Sequence, residues 1–115
     1  MWEIVQIPEF LEWYNSQDED VREDILISIL ILREFGPSLV RPKVDTLKGS
    51  KIKNLKELRV QSKGRPFRVL FFFDTAQNAV LLLGGNKQNR KKFYEKNIKL
   101  AEKLFDKYFI QGDLI

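Results

Sequence analysis

An α+β fold, with two N-terminal helices and a C-terminal helix packed on a small, mainly antiparallel sheet, is what this sequence predicts. Three observations predict it. Segments of helical period stand before and after a block of strand-like segments, instead of alternating with them as a parallel α/β fold requires. The stretch from Leu55 to Asp74 alternates about Gly64 in the manner of a β-hairpin. At 115 residues, 43% hydrophobic and 31% charged, the chain suits one domain over residues 1–115 with a single core.

Each element has its own signal. Trp2 to Gln6 reads as a short strand that ends before Pro8. From Pro8, Phe10, Leu11, Trp13 and Tyr14 recur at helical spacing until the polar stretch Asn15 to Asp20 breaks them. A second helix follows, capped by Asp18 or Asp20, with Glu23 and Asp24 in its first turn and Gly36-Pro37 as its stop. Its middle, Ile25 to Leu32, is apolar nearly all round, so it should be covered on more than one side, by the sheet, the first helix or a partner. Val44 to Leu47 can add a strand before the basic turn Lys48-Gly49-Ser50-Lys51. After the hairpin, Asn78 to Leu83 is an apolar strand ended by Gly84-Gly85. The last helix runs from Asn89, as N-cap, to about Phe109 with a wide apolar face. The order is β-α-α-β-β-β-α.

The hairpin carries the chemistry. Pairing Arg59 with Arg68 sets Val60 opposite Phe67, Leu58 opposite Val69, Lys56 opposite Phe71 and Glu57 opposite Leu70. Side chains alternate along a strand, so Leu58, Val60, Phe67, Val69, Phe71 and Phe73 share one face, a core. Glu57, Arg59, Arg68 and Leu70 share the other. A carboxylate and two guanidiniums on rigid backbone are suited to holding a phosphate. Equally, this is how a solvated sheet face looks, with Arg68 an exposed cation that alanine replaces cheaply.

Composition excludes several chemistries. Without cysteine there is no disulfide framework and no thiolate metal site, and without histidine the commonest metal ligand and acid/base group are missing. No metal or cofactor is expected. No apolar run reaches membrane-spanning length and no signal segment opens the chain, which points to the cytoplasm. The net charge of +4 hides a segregation. Residues 1–35 hold nine carboxylates against two arginines, residues 41–68 ten cations against two carboxylates, and residues 87–107 eight cations against three. Such blocks are the footprint of a polyanion binder, although an acidic protein or a membrane surface would suit them too.

Glu57-Leu58-Arg59, the Pro66-Phe67-Arg68-Val69 step, the strand ending Leu83-Gly84-Gly85-Asn86-Lys87 and the helix from Tyr94 to Ala101 together resemble the RelE/ParE toxin superfamily, and most closely its HigB-like branch. The resemblance follows the whole chain in element order and is motif-specific from Val44 to Ala101. It implies a RelE-like fold and the toxin of a type II toxin–antitoxin system, an mRNA interferase cutting messenger RNA in the ribosomal A site without metal. It also implies a cognate antitoxin, often a helix-turn-helix DNA-binding protein, in a toxin–antitoxin hetero-oligomer. By position, Arg59 and Arg68 would clamp the scissile phosphate, Lys87 matches a basic residue after the last strand, and Tyr94 matches a tyrosine that stacks on or activates the cut nucleotide. Lys48, Lys51, Lys53, Arg65, Arg90 and Lys91 are looser candidates for the RNA backbone.

RNA cleavage by its own 2′-OH needs a base, charge stabilisation for the phosphorane and an acid for the leaving oxygen, and Lys, Glu, Arg and Tyr can supply all three. One departure stands out. Family members place two lysines on the strand entering the hairpin, where this chain has Leu55 and Glu57. A carboxylate is already ionised at neutral pH, whereas a lysine ammonium must first be destabilised. Glu57 is thus either the base or an ion-pair partner that holds the arginines. Tyr94 on a helix stripe could equally be core. Two other functions share the pattern: a ParE-like poison of DNA gyrase, and an inactive relative that only binds nucleic acid or antitoxin.

Overall fold

The computed structural model describes residues 2–88 and 90–115. In chain order it contains β1 (Glu3–Gln6), α1 (Pro8–Asn15), α2 (Glu19–Phe35), β2 (Val44–Thr46), β3 (Lys56–Ser62), β4 (Arg65–Phe73), β5 (Asn78–Asn86) and α3 (Phe93–Tyr108), with short 3-10 turns at Gly36–Ser38 and Gln111–Asp113. One sheet has the order β1-β5-β4-β3-β2, antiparallel except for the parallel pair β1 and β5. The α+β class and the mainly antiparallel sheet therefore hold. Val44–Thr46 is a real strand on β3, so the order is β-α-α-β-β-β-β-α, one strand more than the basic count.

Local chemistry accounts for most boundaries. Pro8 opens α1, where its missing N–H costs nothing. Asp18 caps α2 by accepting the Val21 N–H at 3.1 Å, and it is Glu19 and Asp20, not Glu23 and Asp24, that fill the first turn. At the other end Gly36 has φ +52°, and a Cβ there would collide with the Trp2 indole. The hairpin turn is two residues, Lys63 at φ +52° and Gly64 at φ +73°, the positive pair that a type I′ turn requires. That turn locks the expected register, with Arg59 opposite Arg68 and Glu57 opposite Leu70.

Two expectations fail at the end of β5 and the start of α3. Gly84-Gly85 does not end the strand, which continues to Asn86. A Cβ on Gly84 would overlap the Trp13 ring, and one on Gly85 would meet the Phe93 ring at 3.0 Å. These glycines let a helix approach each face of the sheet at successive residues. Asn89, expected as the N-cap of the last helix, lies outside the described residues; the helix opens at Phe93, after Lys92.

The sheet is covered on both faces. Phe10 of α1 and Ile25 and Leu32 of α2 are fully buried on the side of Leu58, Val69 and Phe71. On the other side α3 lies across the sheet, and Phe72 packs edge-on against Phe105 at 5.4 Å and Phe109 at 5.3 Å. The expectation that Glu57, Arg59, Arg68 and Leu70 sit on a solvated face is thus overturned. Leu70 is fully buried, and Glu57 is 1% exposed. Helix α2, by contrast, is covered on one side only, with Leu26, Ile27 and Leu30 left 46%, 57% and 45% exposed. Among the described residues no helix is long and apolar enough to cross a membrane.

Candidate functional site

The buried carboxylate of Glu57, on β3, is the centre of a polar cluster. Its Oε1 accepts the Tyr94 hydroxyl at 2.7 Å, a contact that spans from the sheet to the first turn of α3. Its Oε2 accepts Arg59 Nε at 3.2 Å. Arg68, one strand over on β4, places Nε 3.4 Å from Oε1. That distance serves charge attraction but lacks hydrogen-bond alignment, so a buried Arg68 donor is left without an acceptor. Arg68 Nη1 donates to the Phe67 carbonyl at 3.0 Å, which fixes the guanidinium against its own strand.

Arg68 is not the exposed cation that a bare sheet face would carry. Its side chain is 11% exposed, against 34% for Arg59, because α3 roofs one and not the other. Arg59 reaches outward to Asp45 Oδ2 at 3.2 Å, an oxygen that Arg41 also holds at 2.9 Å. Asp45 stands opposite Glu57 in the β2–β3 ladder, so two carboxylates on adjacent strands share Arg59. The hydrogen bond from Arg41, aided by the charge of Arg59, holds the Asp45 carboxyl below the usual range against some desolvation. Burial, with acceptance by Glu57 second, pushes the Tyr94 phenol above its ordinary value, and nearby Arg68 opposes this. Tyr94 is therefore a neutral donor at physiological pH.

Of the expected catalytic set, Glu57, Arg59, Arg68 and Tyr94 converge. Lys87 joins them at the rim: its ammonium lies 5.3 Å from the centre of the Tyr94 ring. Leu55, just ahead of β3, is fully buried in the core and offers no chemistry.

The looser cations divide into two groups. Arg65 and Arg90 line a cleft of about 500 Å³ between α1, the ends of β4 and β5 and the start of α3, adjoining the cluster. Lys91 is exposed nearby in sequence but does not line it. Lys48, Lys51 and Lys53 lie in the loop between β2 and β3, which is tied to the far half of α3. Ser50 Oγ and the Lys51 N–H donate to Glu102, and Lys51 Nζ pairs with Asp106 at 3.0 Å, which raises the lysine pKa. Glu102 and Asp106 are eight and twelve residues beyond Tyr94 on α3, or about 12 and 18 Å along its axis. Those three lysines are not gathered at the cluster.

The charge segregation of the sequence is also partly cancelled in space. Lys63 pairs with Asp20 at 2.8 Å, Arg65 with Asp18 at 3.8 Å, and Lys107 with Glu9 at 2.7 Å. Among the described residues, Lys87 at the rim and Arg90 in the cleft have no carboxylate within reach. Asp45 was missed as a member of the site, although the pairing of Val44–Thr46 with β3, once granted, puts it beside Glu57. A second cavity of about 450 Å³ along the edge of β3 is lined by Lys43, Arg59, Gln61 and Arg68, so the two arginines face open space as well as Glu57.

Comparison with known proteins agrees with this architecture. Residues 12–106 match the family described as "Phage derived protein Gp49-like". Over 101 residues, 86% of this chain, it is 43% identical to "Putative toxin HigB2" of Mycobacterium tuberculosis, of which the match spans half the length. Over 100 residues it is 38% identical to "Putative toxin HigB3" of the same organism, covering 86% of each chain. A doubly arginine-substituted mutant of E. coli toxin RelE, solved in the free state, superposes with a TM-score of 0.63 over 94% of this chain and 98% of that one. At 9% identity that likeness speaks for the fold alone. The resemblance carried by the hairpin, the Leu83 to Lys87 strand end and the Tyr94 helix is thus met by relatives of the HigB type and by a RelE-like fold.

Proposed function

Since the chain belongs to the Gp49-like family, its match running over residues 12–106, we propose that it is the toxin of a toxin–antitoxin pair. In this reading it acts as a ribosome-dependent endoribonuclease on messenger RNA. One observation carries the chemical half of the reading: a buried carboxylate, a neutral phenol and two guanidiniums meet, each partner within 3.4 Å of a Glu57 oxygen. One of those guanidiniums keeps a buried donor unused. An RNA phosphate would meet the two arginines where they line the cavity along β3, and the pair matches the charge that builds on a phosphorane.

In the mechanism, the 2′-OH attacks the adjacent phosphorus, the bond to the 5′-oxygen breaks, and a 2′,3′-cyclic phosphate and a 5′-hydroxyl result. Arg59 and Arg68 bind the non-bridging oxygens. Both oxygens of Glu57 are already engaged, so Glu57 takes the 2′-OH proton only when that hydroxyl replaces the Tyr94 hydroxyl at Oε1. The exchange is one hydroxyl donor for another and costs little in hydrogen bonds. Tyr94, released with its proton, stands ready with Lys87 to protonate the leaving oxygen. Before the substrate enters, Glu57 acts as the anchor that spaces the two arginines.

The partner in this reading is a cognate antitoxin that grips α2. Leu26, Ile27 and Leu30 form an exposed apolar stripe beside Glu19, Glu23 and Glu34, which favours an amphipathic segment with basic flanks. The deciding experiment adds purified protein to message-programmed ribosomes and to the same message alone. Cuts confined to the A site of ribosome-bound message, each leaving a cyclic phosphate, are expected. Growth arrest with intact message and trapped DNA gyrase complexes would replace this reading with gyrase poisoning.

A further inference from the structure

The cleft beside the cluster holds more than the two arginines expected of it. Its volume of about 500 Å³ suits one nucleotide better than a length of polymer. One wall is the half-buried Trp13, whose indole packs on Gly84; another is Phe93, packed on Gly85. Lys92 and Lys96 join Arg65 and Arg90 around them. Packing against Phe10 and Phe67 accounts for the position of the Trp13 ring. It does not account for four cations converging there. Among the described residues only Arg65 has a carboxylate within reach, Asp18 at 3.8 Å, while Arg90, Lys92 and Lys96 have none. Like charges gathered at a concave surface raise its potential and draw an anion into it.

The cleft is also in register with the cluster. Gly85 is the direct partner of Arg68 across the β4–β5 ladder, and Phe93 immediately precedes Tyr94, the two rings meeting edge-on at 5.4 Å. The cleft therefore comes within about one strand spacing, roughly 5 Å, of Arg68 on the Gly85 and Phe93 side, while Trp13 closes it from the other face of the sheet at Gly84. Its mouth combines an aromatic wall with cations, which is how a single-stranded nucleic acid is gripped irrespective of its bases.

We propose that this cleft is a second nucleotide subsite, which stacks the base next to the scissile phosphate of single-stranded RNA on Trp13 and holds that nucleotide's phosphate with Arg90, Lys92 and Lys96. The assignment rests on the RNA-cleaving reading of the neighbouring cluster and extends it to a substrate contact the hairpin does not make. Because stacking accepts any base, the subsite supplies grip and register and leaves sequence preference to other contacts.

The chain has two tryptophans, so Trp2→Phe leaves Trp13 as the only one and its emission becomes the probe. That protein is titrated to millimolar levels with a 2′-O-methyl RNA trinucleotide, which has no free 2′-OH to cleave, and in parallel with inorganic phosphate. Saturable quenching by the trinucleotide and none by phosphate is expected. Adding K92A/K96A, at two exposed positions, should weaken binding about tenfold or more and reduce the salt-dependence slope by up to about 0.7, the share of the one phosphate charge that the two lysines help neutralise. Thermal melts check that the fold survives. No quenching, equal quenching by phosphate, or the same midpoint in K92A/K96A overturns the subsite. Cleavage of ribosome-bound message by the same proteins is scored separately: cleavage without quenching sinks the subsite alone, and quenching without cleavage sinks the nuclease reading alone.

Discussion

Replacing Glu57 by glutamine tests the centre of the site with almost no change of shape. Glutamine keeps one acceptor for the Tyr94 hydroxyl, now at 2.7 Å from Oε1, but it turns an NH2 donor toward Arg59 Nε at 3.2 Å and removes the charge facing Arg68. Breaking a buried ion pair costs about 3–5 kcal/mol. The lower end applies here, because Arg59 is one-third exposed and retains Asp45, which leaves Arg68 as the cation that loses its counter-charge. With an unfolding entropy near 2.1 cal/mol/K per residue, 115 residues give about 0.24 kcal/mol/K, so a loss of about 3 kcal/mol lowers Tm by about 12 °C. Activity is read below that Tm as single-turnover cleavage of ribosome-bound message. Loss of a general base slows it by about 10² or more. Loss of an anchor alone gives a smaller decrease, which Arg59→Ala does not deepen. A variant with unchanged Tm would refute the buried-pair assignment, and a rate within a few-fold of the parent would remove Glu57 as base.

Three further outcomes are expected. Arg68→Ala should abolish toxicity on expression and, unlike substitution of an exposed cation, should also lower Tm measurably, since Glu57 stays buried beside one fewer cation; a folded, fully toxic Arg68→Ala protein would end the phosphate-clamp role. Tyr94 holds its proton more tightly folded than unfolded, so above the ordinary phenol value, about 10, the unfolded chain binds fewer protons and stability falls with rising pH. Tyr94→Phe should flatten that alkaline decline, and an identical pH–Tm slope in parent and variant above about pH 10 would contradict it. For the antitoxin, an apolar grip on α2 should persist as salt rises and be lost in Ile27→Glu/Leu30→Glu; a complex that dissociates with salt but tolerates that double substitution would place the contact on the cationic cluster instead.

Much of the site was legible because it lies on a hairpin. A two-residue turn with positive φ leaves one register, and the period of two then assigns every side chain from Lys56 to Phe71 to a face. Residue types alone could therefore bring Glu57, Arg59 and Arg68 together, and the family pattern could add Lys87 and Tyr94. The α+β class and the place of each helix were likewise carried by local periodicity, whereas the strand at Val44 stayed outside the basic order until its pairing with β3 was seen. Tertiary structure decided what covers those residues. Nothing in the hairpin says that α3 will lie over the charged face, and it is this roof that changes Glu57 from a solvated carboxylate into a buried one and leaves an Arg68 donor unused. The two glycines looked like a strand exit because a glycine's local preference is to break; that they instead admit Trp13 and Phe93 to opposite faces depends on where two distant helices pack. Charge blocks behave the same way. Asp20 pairs with Lys63, Asp18 with Arg65 and Lys51 with Asp106, partners that stand 43 to 55 residues apart along the chain. Separations of that order are invisible to periodicity, so only the folded chain shows which cations are spent on the scaffold and which stay open at the site.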